Sequence, residues 1–88
     1  MIGVLLKLTK TLVIVCSPGL SYNATIIEKN EIVQEVKFWG INLKSTITEI
    51  LDSYNDIVEI KIRGHRQYIT KIVKLLQDEY PEKKVSII

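Results

Sequence analysis

Apolar positions in the first part of the chain follow the patterns of β-strands. The continuous run from Thr11 to Cys16 is closed by Ser17-Pro18-Gly19, and its length and β-branched residues predict a central strand covered at least partly on both faces. Tyr22 to Glu28 and Glu31 to Phe38 are two further strand candidates. The connection between them, Lys29-Asn30, favours a hairpin turn that needs positive φ. These segments predict a three-stranded antiparallel meander.

After Gly40 the apolar positions recur at helical spacing. They predict an amphipathic helix over Leu43–Ser53. Thr46, followed by Glu49, matches a capping box, which would move the start of the helix a few residues later. The apolar stripe of this helix comprises Leu43, Ile47, Ile50, Leu51 and Tyr54.

The second half of the chain alternates between strand and helix patterns. A fourth strand is predicted at Ile57–Arg63, a second helix from about Arg66 to Glu79, and a last strand at Val85–Ile88. The chain is therefore predicted to be a two-layer α/β (α+β) protein with a five-stranded mixed sheet and the order β-β-β-α-β-α-β. Right-handed β-α-β crossovers that move the same way across the sheet place both helices on one face.

The fourth predicted strand indicates that the other face of the sheet is open. Its apolar and charged residues alternate, whereas a strand covered on both faces would be apolar throughout. We predict that the apolar set faces the helices, namely Val58, Ile60 and Ile62. The charged set is predicted to face the open side, namely Glu59, Lys61 and Arg63.

An apolar strip on the open face needs a cover. One of two rows of the first strand must lie there, either Leu12, Ile14 and Cys16 or Val13 and Val15. The cover is either the N-terminal segment Ile2–Leu8 or a second copy of the chain, and mixed charges around an apolar centre suit a two-fold interface. We therefore expect a homodimer. Its candidate interface residues are Val13, Ile14, Trp39, Glu59 and Lys61.

Phe38 and Trp39 end the third predicted strand, where neighbouring residues point to opposite faces. If Val36 and Phe38 face the helices, Trp39 lies on the open face. There it stacks a nucleic-acid base or anchors a partner chain. The alternative is that it only covers the end of the sheet.

Length and composition indicate one domain. The chain has 88 residues, 47% hydrophobic and 25% charged, which predicts a single globular domain over residues 1–88, with residues 1–10 as a flexible or sheet-covering segment. The net charge of +2 does not indicate a nucleic-acid partner by itself. The single cysteine, Cys16, excludes an internal disulfide and is predicted to be a buried structural thiol. Because Lys7 and Lys10 interrupt the apolar N-terminus, we predict no secretory signal and no membrane span, and a cytoplasmic protein.

Small and basic residues gather where the first and fourth strands end. Open α/β sheets bind ligands beyond the carboxyl ends of their strands. The residues predicted at this edge are Ser17, Gly19, Ser21, Arg63, His65, Arg66 and Gln67. The second helix begins there with free N–H groups that favour an anion, and Lys71 and Lys74 extend the positive charge along it. The edge therefore predicts a site for a phosphate or a nucleic-acid backbone, the alternative being a solvated turn and helix face.

Ser17 and His65 also suggest a nucleophile and a base, since parallel neighbouring strands bring them to the same edge. A catalytic triad needs an acid to orient the histidine and an oxyanion hole, and the sequence shows no such acid nearby. We expect no catalytic residues.

The predicted order of elements, with a hairpin directly after the first strand, resembles the core of the ribonuclease H-like fold over about residues 11–88. Val15 to Ser21 looks like the opening of RuvC-type Holliday-junction resolvases, whose first strand ends in Asp-Pro-Gly. Ser17 stands where that family has its metal-binding aspartate.

The departures from that family bear on activity. Nucleases of this fold hold divalent cations with several carboxylates, and the hydroxyl of Ser17 does not replace a carboxylate in that role. Glu59 lies on the strand that carries an acid in the family, but early in it, and the C-terminal helix that supplies the last acid is absent. The resemblance thus implies a form without the metal site, so we expect no nuclease activity, no metal and no cofactor.

These observations favour a non-catalytic binding and assembly module that self-associates through its open sheet face and binds nucleic acid at the strand edge. Two alternatives remain. One is a metal-dependent nuclease whose missing ligands come from another chain, and the other is a structural or regulatory protein that binds a host protein. The Lys-, Ile- and Asn-rich composition is compatible with an AT-rich genome, including that of a virus or phage.

Overall fold

The computed structural model describes residues 9–88 and contains the predicted order of five strands and two helices. The elements are β1 (Lys10–Ser17), β2 (Ser21–Glu28), β3 (Glu31–Trp39), α1 (Leu43–Ser53), β4 (Ile57–Arg63), α2 (Arg66–Glu79) and β5 (Lys84–Ile87), with a 3₁₀ turn at Gly40–Asn42. The predicted cover Ile2–Leu8 lies outside the described residues, and Lys10 is already part of β1.

The five strands form one mixed sheet in the order β3-β2-β1-β4-β5. β1 pairs antiparallel with β2 and parallel with β4, so it is the central strand, as its apolar run predicts. The β2–β3 turn confirms the hairpin prediction, because Lys29 (φ 52°) and Asn30 (φ 64°) both adopt the left-handed conformation.

Both helices pack on the same face of the sheet, where they bury one row each of β1, β2 and β4 and Phe38 of β3. On β1 this row is Leu12, Ile14 and Cys16, which are buried, while Val13 and Val15 remain partly exposed. Each helix contributes an apolar stripe, and the buried residues of the two stripes are Ile47, Ile50, Leu51, Ile69, Ile72 and Leu76. The buried residues of the strands and helices belong to one apolar cluster, which is the core of the domain.

A β-bulge at Val58 corrects the predicted alternation of β4. Lys10 pairs with Ile57 and Thr11 with Glu59, so Val58 is an extra residue without a partner on β1. Ile57 is fully buried, whereas Val58 is 50% exposed. The prediction that Val58 faces the helices together with Ile60 is therefore wrong, because the bulge shifts the strand by one residue.

The start of α1 also differs from the sequence prediction. The helix begins at Leu43, and the later start expected from a capping box at Thr46 is wrong. The 3₁₀ turn leads directly into the first helical turn, and the Ser45 hydroxyl donates to the Asn42 carbonyl at 3.1 Å.

Candidate functional site

The open face of the sheet lies opposite the helices and has two valines of β1 at its centre. Residues opposite each other in a sheet share a face. Val13 lies between Thr25 of β2 and Lys61 of β4. Two residues further along β1, Val15 lies between Asn23 and Arg63.

The position of Ile14 removes it from the candidate interface. Its side chain is 0% exposed because its row of β1 packs beneath the helices. Of the two alternative rows, the one that contributes to the open face is Val13 and Val15. A substitution at Ile14 would therefore disturb the core rather than a surface.

Charged residues of both signs border the two valines. On one side are Glu59, Lys61 and Arg63 of β4, and Glu59 forms an ion pair with Lys84 of β5 at 3.5 Å. On the other side, the register of β2 with β3 places Glu35 beside Thr25 and Lys37 beside Asn23.

Sequence reasoning missed Glu35, Lys37 and Asn23 as residues of this surface. The two residues of β3 could have been found from Phe38. If Phe38 faces the helices, Glu35 and Lys37 face the opposite side, because neighbouring residues of a strand alternate between the faces. Asn23 has a feature that the sequence does not show. Its side-chain oxygen Oδ1 is buried, and it has no hydrogen-bond partner within the described part of the chain.

Trp39 lies on the open face, as expected if Phe38 faces the helices. It is opposite Ser21 at the end of the sheet and is 62% exposed. Phe38 is buried and stacks on the Tyr22 ring with a centroid distance of 5.4 Å. An exposed indole next to the basic residue Lys37 is a surface of the kind that anchors partner chains or stacks bases.

The β1–β2 turn and the β4–α2 connection meet at one edge, as the sequence predicts. Ser17 is paired with Ser21, and the intervening turn through Gly19 is exposed. Gly64 approaches the end of β1 so closely that a Cβ atom on it would lie 2.7 Å from the Cβ and the carbonyl oxygen of Cys16. The predicted residues Arg63, His65, Arg66 and Gln67 are all exposed here.

Helix α2 presents an uninterrupted non-acidic surface from this edge. Its exposed side chains before Asp78 are Arg66, Gln67, Thr70, Lys71, Lys74 and Gln77. The first turn has no acidic residue, the last turn has no basic residue, and the N-terminus has no side-chain cap. Helices normally favour acidic residues in the first turn and basic residues in the last, because their N-terminal ends carry partial positive charge and their C-terminal ends partial negative charge.

The ionisable groups of the core are held in their neutral forms. Burial raises the pKa of the Cys16 thiol to about 11, so Cys16 is the buried thiol that the sequence predicts. Burial also raises the pKa of Tyr22. Among residues 9–88, no group of three or more His, Cys, Asp or Glu side chains is arranged to hold a metal ion. Neither α1 nor α2 is long and apolar enough to cross a membrane.

Comparison of the chain with protein-family models, curated proteins and solved structures gives no match. The resemblance to ribonuclease H-like proteins therefore remains a prediction based on the order of elements and the Ser17-Pro18-Gly19 turn.

Proposed function

We propose that the chain is a non-catalytic binding and assembly module, acting in the cytoplasm, that associates with a second copy of itself through the open face of its sheet. The observation that carries this proposal is the Val13/Val15 centre with charges of both signs on its two borders. Relationship to the ribonuclease H-like fold is part of the proposal and is supported by the strand order.

Face-to-face packing of two copies accounts for this arrangement. Stacked sheets lie about 10 Å apart, so their inner side chains interdigitate and Val13 and Val15 lose their contact with water. A two-fold interface uses the same surface on both copies and therefore has to be complementary to itself. The acidic and basic residues on both borders meet that requirement, and a donor from the partner satisfies the orphaned Oδ1 of Asn23.

A pair of matched substitutions tests the interface. Val13→Asp places a charge at the centre of the open face, whereas Ile41→Asp places one at a 93% exposed residue beside α1. We expect Val13→Asp to lower the mass measured by light scattering, while Ile41→Asp keeps the wild-type mass. Circular dichroism and thermal melting establish that both variants are folded. Equal masses for the two folded variants would contradict the open-face interface.

The charge distribution of α2 supports a second function, the binding of a nucleic-acid backbone at the strand edge. A basic residue in the first turn of a helix costs about 0.3–1 kcal/mol, so Arg66 does not serve the stability of α2. Arg66, Lys71 and Lys74 form an exposed cationic strip along α2, which begins beside the Ser17 turn and suits phosphate groups.

Binding of short single-stranded and branched DNA tests this second function. Replacing Lys71 or Lys74 by glutamate is expected to weaken binding and to lower its salt dependence, because fewer counterions are released. Lys29→Glu, at the β2–β3 turn, is the control and keeps the wild-type affinity. An affinity insensitive to Lys71→Glu and Lys74→Glu would exclude the strip, and DNA cleavage blocked by a chelator would support the nuclease alternative.

A further inference from the structure

Strand β3 is a long edge of the sheet whose protection is limited to charged side chains and one bulge. The opposite edge, β5, has 4 residues, whereas β3 has 9 and contains no proline. Natural edges are usually short, interrupted or covered, because their unpaired backbone groups can pair with another chain. A bulge at Val33 interrupts the first part of β3, and the segment from Gln34 to Trp39 is regular.

The outward backbone groups of this segment follow from the β2–β3 register. Gly40 N–H donates to the Leu20 carbonyl at 2.7 Å, which makes these two residues a hydrogen-bonded pair. Hydrogen-bonded and non-hydrogen-bonded pairs alternate along an antiparallel ladder. Val36 therefore directs its backbone groups towards β2, while Glu35 and Lys37 direct theirs out of the sheet.

We infer that β3 pairs antiparallel with β3 of a second copy, with Val36 on the two-fold axis. In this register Glu35 of each copy lies opposite Lys37 of the other. Both residues direct their backbone N–H and C=O groups out of the sheet, so these groups can hydrogen-bond across the contact. Shifting the partner by two residues places Glu35 opposite Glu35 or Lys37 opposite Lys37. Shifting it by one residue places backbone groups that point out of the sheet opposite backbone groups that point towards β2, so the two strands do not form a hydrogen-bonded ladder.

The side of β3 that faces α1 also accommodates this pairing. Val36 is only partly buried and packs against the core. It forms one wall of an open groove of about 170 Å³ between β3 and α1, which is lined by Gln34, Val36, Thr46, Glu49, Ile50, Ser53 and Tyr54. The Tyr54 hydroxyl donates to Oε1 of Gln34 at 2.5 Å and holds the end of α1 against the strand. Val36 of the second copy lies beside this groove.

The charge order selects a second copy of the chain as the occupant. Glu35 and Lys37 lie on the open face on either side of Val36, so reversing the strand direction exchanges acid for base. A segment that pairs with itself antiparallel needs this arrangement. Glu35 and Lys37 also border the open-face interface, but the backbone pairing of the two β3 strands does not depend on that interface.

Charge exchange tests the inferred register. In a Val13→Asp background, where only the edge contact remains, Glu35→Lys and Lys37→Glu each create two like-charged pairs in the symmetric dimer, so each is expected to dimerise at least about 10-fold more weakly than Val13→Asp alone. A mixture of the two restores dimerisation, because both cross-strand pairs become opposite in sign. The double change Glu35→Lys/Lys37→Glu in the same background dimerises like Val13→Asp alone.

Sedimentation velocity of each variant, measured also in a Val13→Asp background, separates the edge contact from the open-face contact. Glu82→Lys and Lys29→Glu, at exposed positions away from this register, are the charge controls and leave the dimer unchanged. A Val13→Asp protein that is already monomeric would overturn the edge inference. Equal association of Val13→Asp with and without either charge change, or a mixture that stays monomeric, would also overturn it.

Discussion

The shape of the candidate binding edge depends on Gly64, because only a residue without a side chain fits at this position. Its φ of 145° lies in a region that L side chains rarely adopt, and any Cβ there would lie 2.7 Å from Cys16. The absence of a side chain lets the β4–α2 connection reach the end of β1. The exposed residues Arg63 and Arg66 are thereby held beside the Ser17 turn.

Gly64→Ala is expected to destabilise the domain by about 3 kcal/mol, since it combines backbone strain with a collision in the core. Gly19→Ala is the matched control. Its φ of 81° is also strained, but no atom lies within 4 Å of an added Cβ, so a loss of about 1 kcal/mol is expected. Urea unfolding at equilibrium measures both changes. Equal losses for the two variants would show that the contact with Cys16 does not matter.

Lys10 connects three elements at the end of the sheet opposite the candidate binding edge. Its ammonium group contacts Glu28 at 2.9 Å, at the end of β2, and also Asp56, immediately before β4. It lies 5.9 Å from the ring centre of Tyr54, which follows α1. The hydrogen bond from Lys10 lowers the pKa of Asp56, and the bonds to Asp56 and Glu28 raise the pKa of Lys10.

This contact predicts an acid-dependent loss of stability. Because the pKa of Asp56 is lower in the folded state, the contribution is complete above the ordinary value of 3.8 and disappears as the pH falls through the folded-state pKa. Lys10→Met removes it, so the difference in melting temperature between wild type and variant should shrink below about pH 4. Calorimetry from pH 6 to pH 2.5 measures this difference. A constant difference would contradict the role of the ion pair.

The β2–β3 hairpin shows which features of an element the sequence predicts. Apolar periodicity located every strand and helix, and the Lys29-Asn30 turn was also predicted correctly. The orientation of Val36 and Phe38 towards the helices was only a condition for placing Trp39, and the pattern did not show how it would arise. Continued from the turn without interruption, the pairing would place Glu35 opposite Ala24 and beneath the helices. The bulge at Val33 absorbs the extra residue, and periodicity alone does not specify where such a bulge lies.

The same limit applies to the candidate site. The edge residues follow directly from strand direction, because parallel strands end at the same side of a sheet. Two rows of β1 were equally apolar, so the choice between Ile14 and Val13 depended on which row the helices cover. That choice is a property of packing between distant elements. The buried Oδ1 of Asn23 likewise depends on its neighbours in space.

For the whole molecule, the account assigns tasks to three surfaces. The open face and the β3 edge, which share Glu35 and Lys37, are proposed to bring copies of the chain together, whereas the cationic strip begins at the carboxyl ends of β1 and β4. A chain with two self-association surfaces forms assemblies larger than a dimer.

Light scattering over a range of protein concentrations tests the central claim that the open face is an interface between copies. Relative to the 10.1 kDa chain, the account predicts the largest mass for the wild type and for Ile41→Asp. A smaller mass is predicted for Val13→Asp, and the mass of a monomer for Val13→Asp combined with Glu35→Lys. A wild-type protein that stays monomeric, or a folded Val13→Asp variant with the mass of Ile41→Asp, would contradict the account.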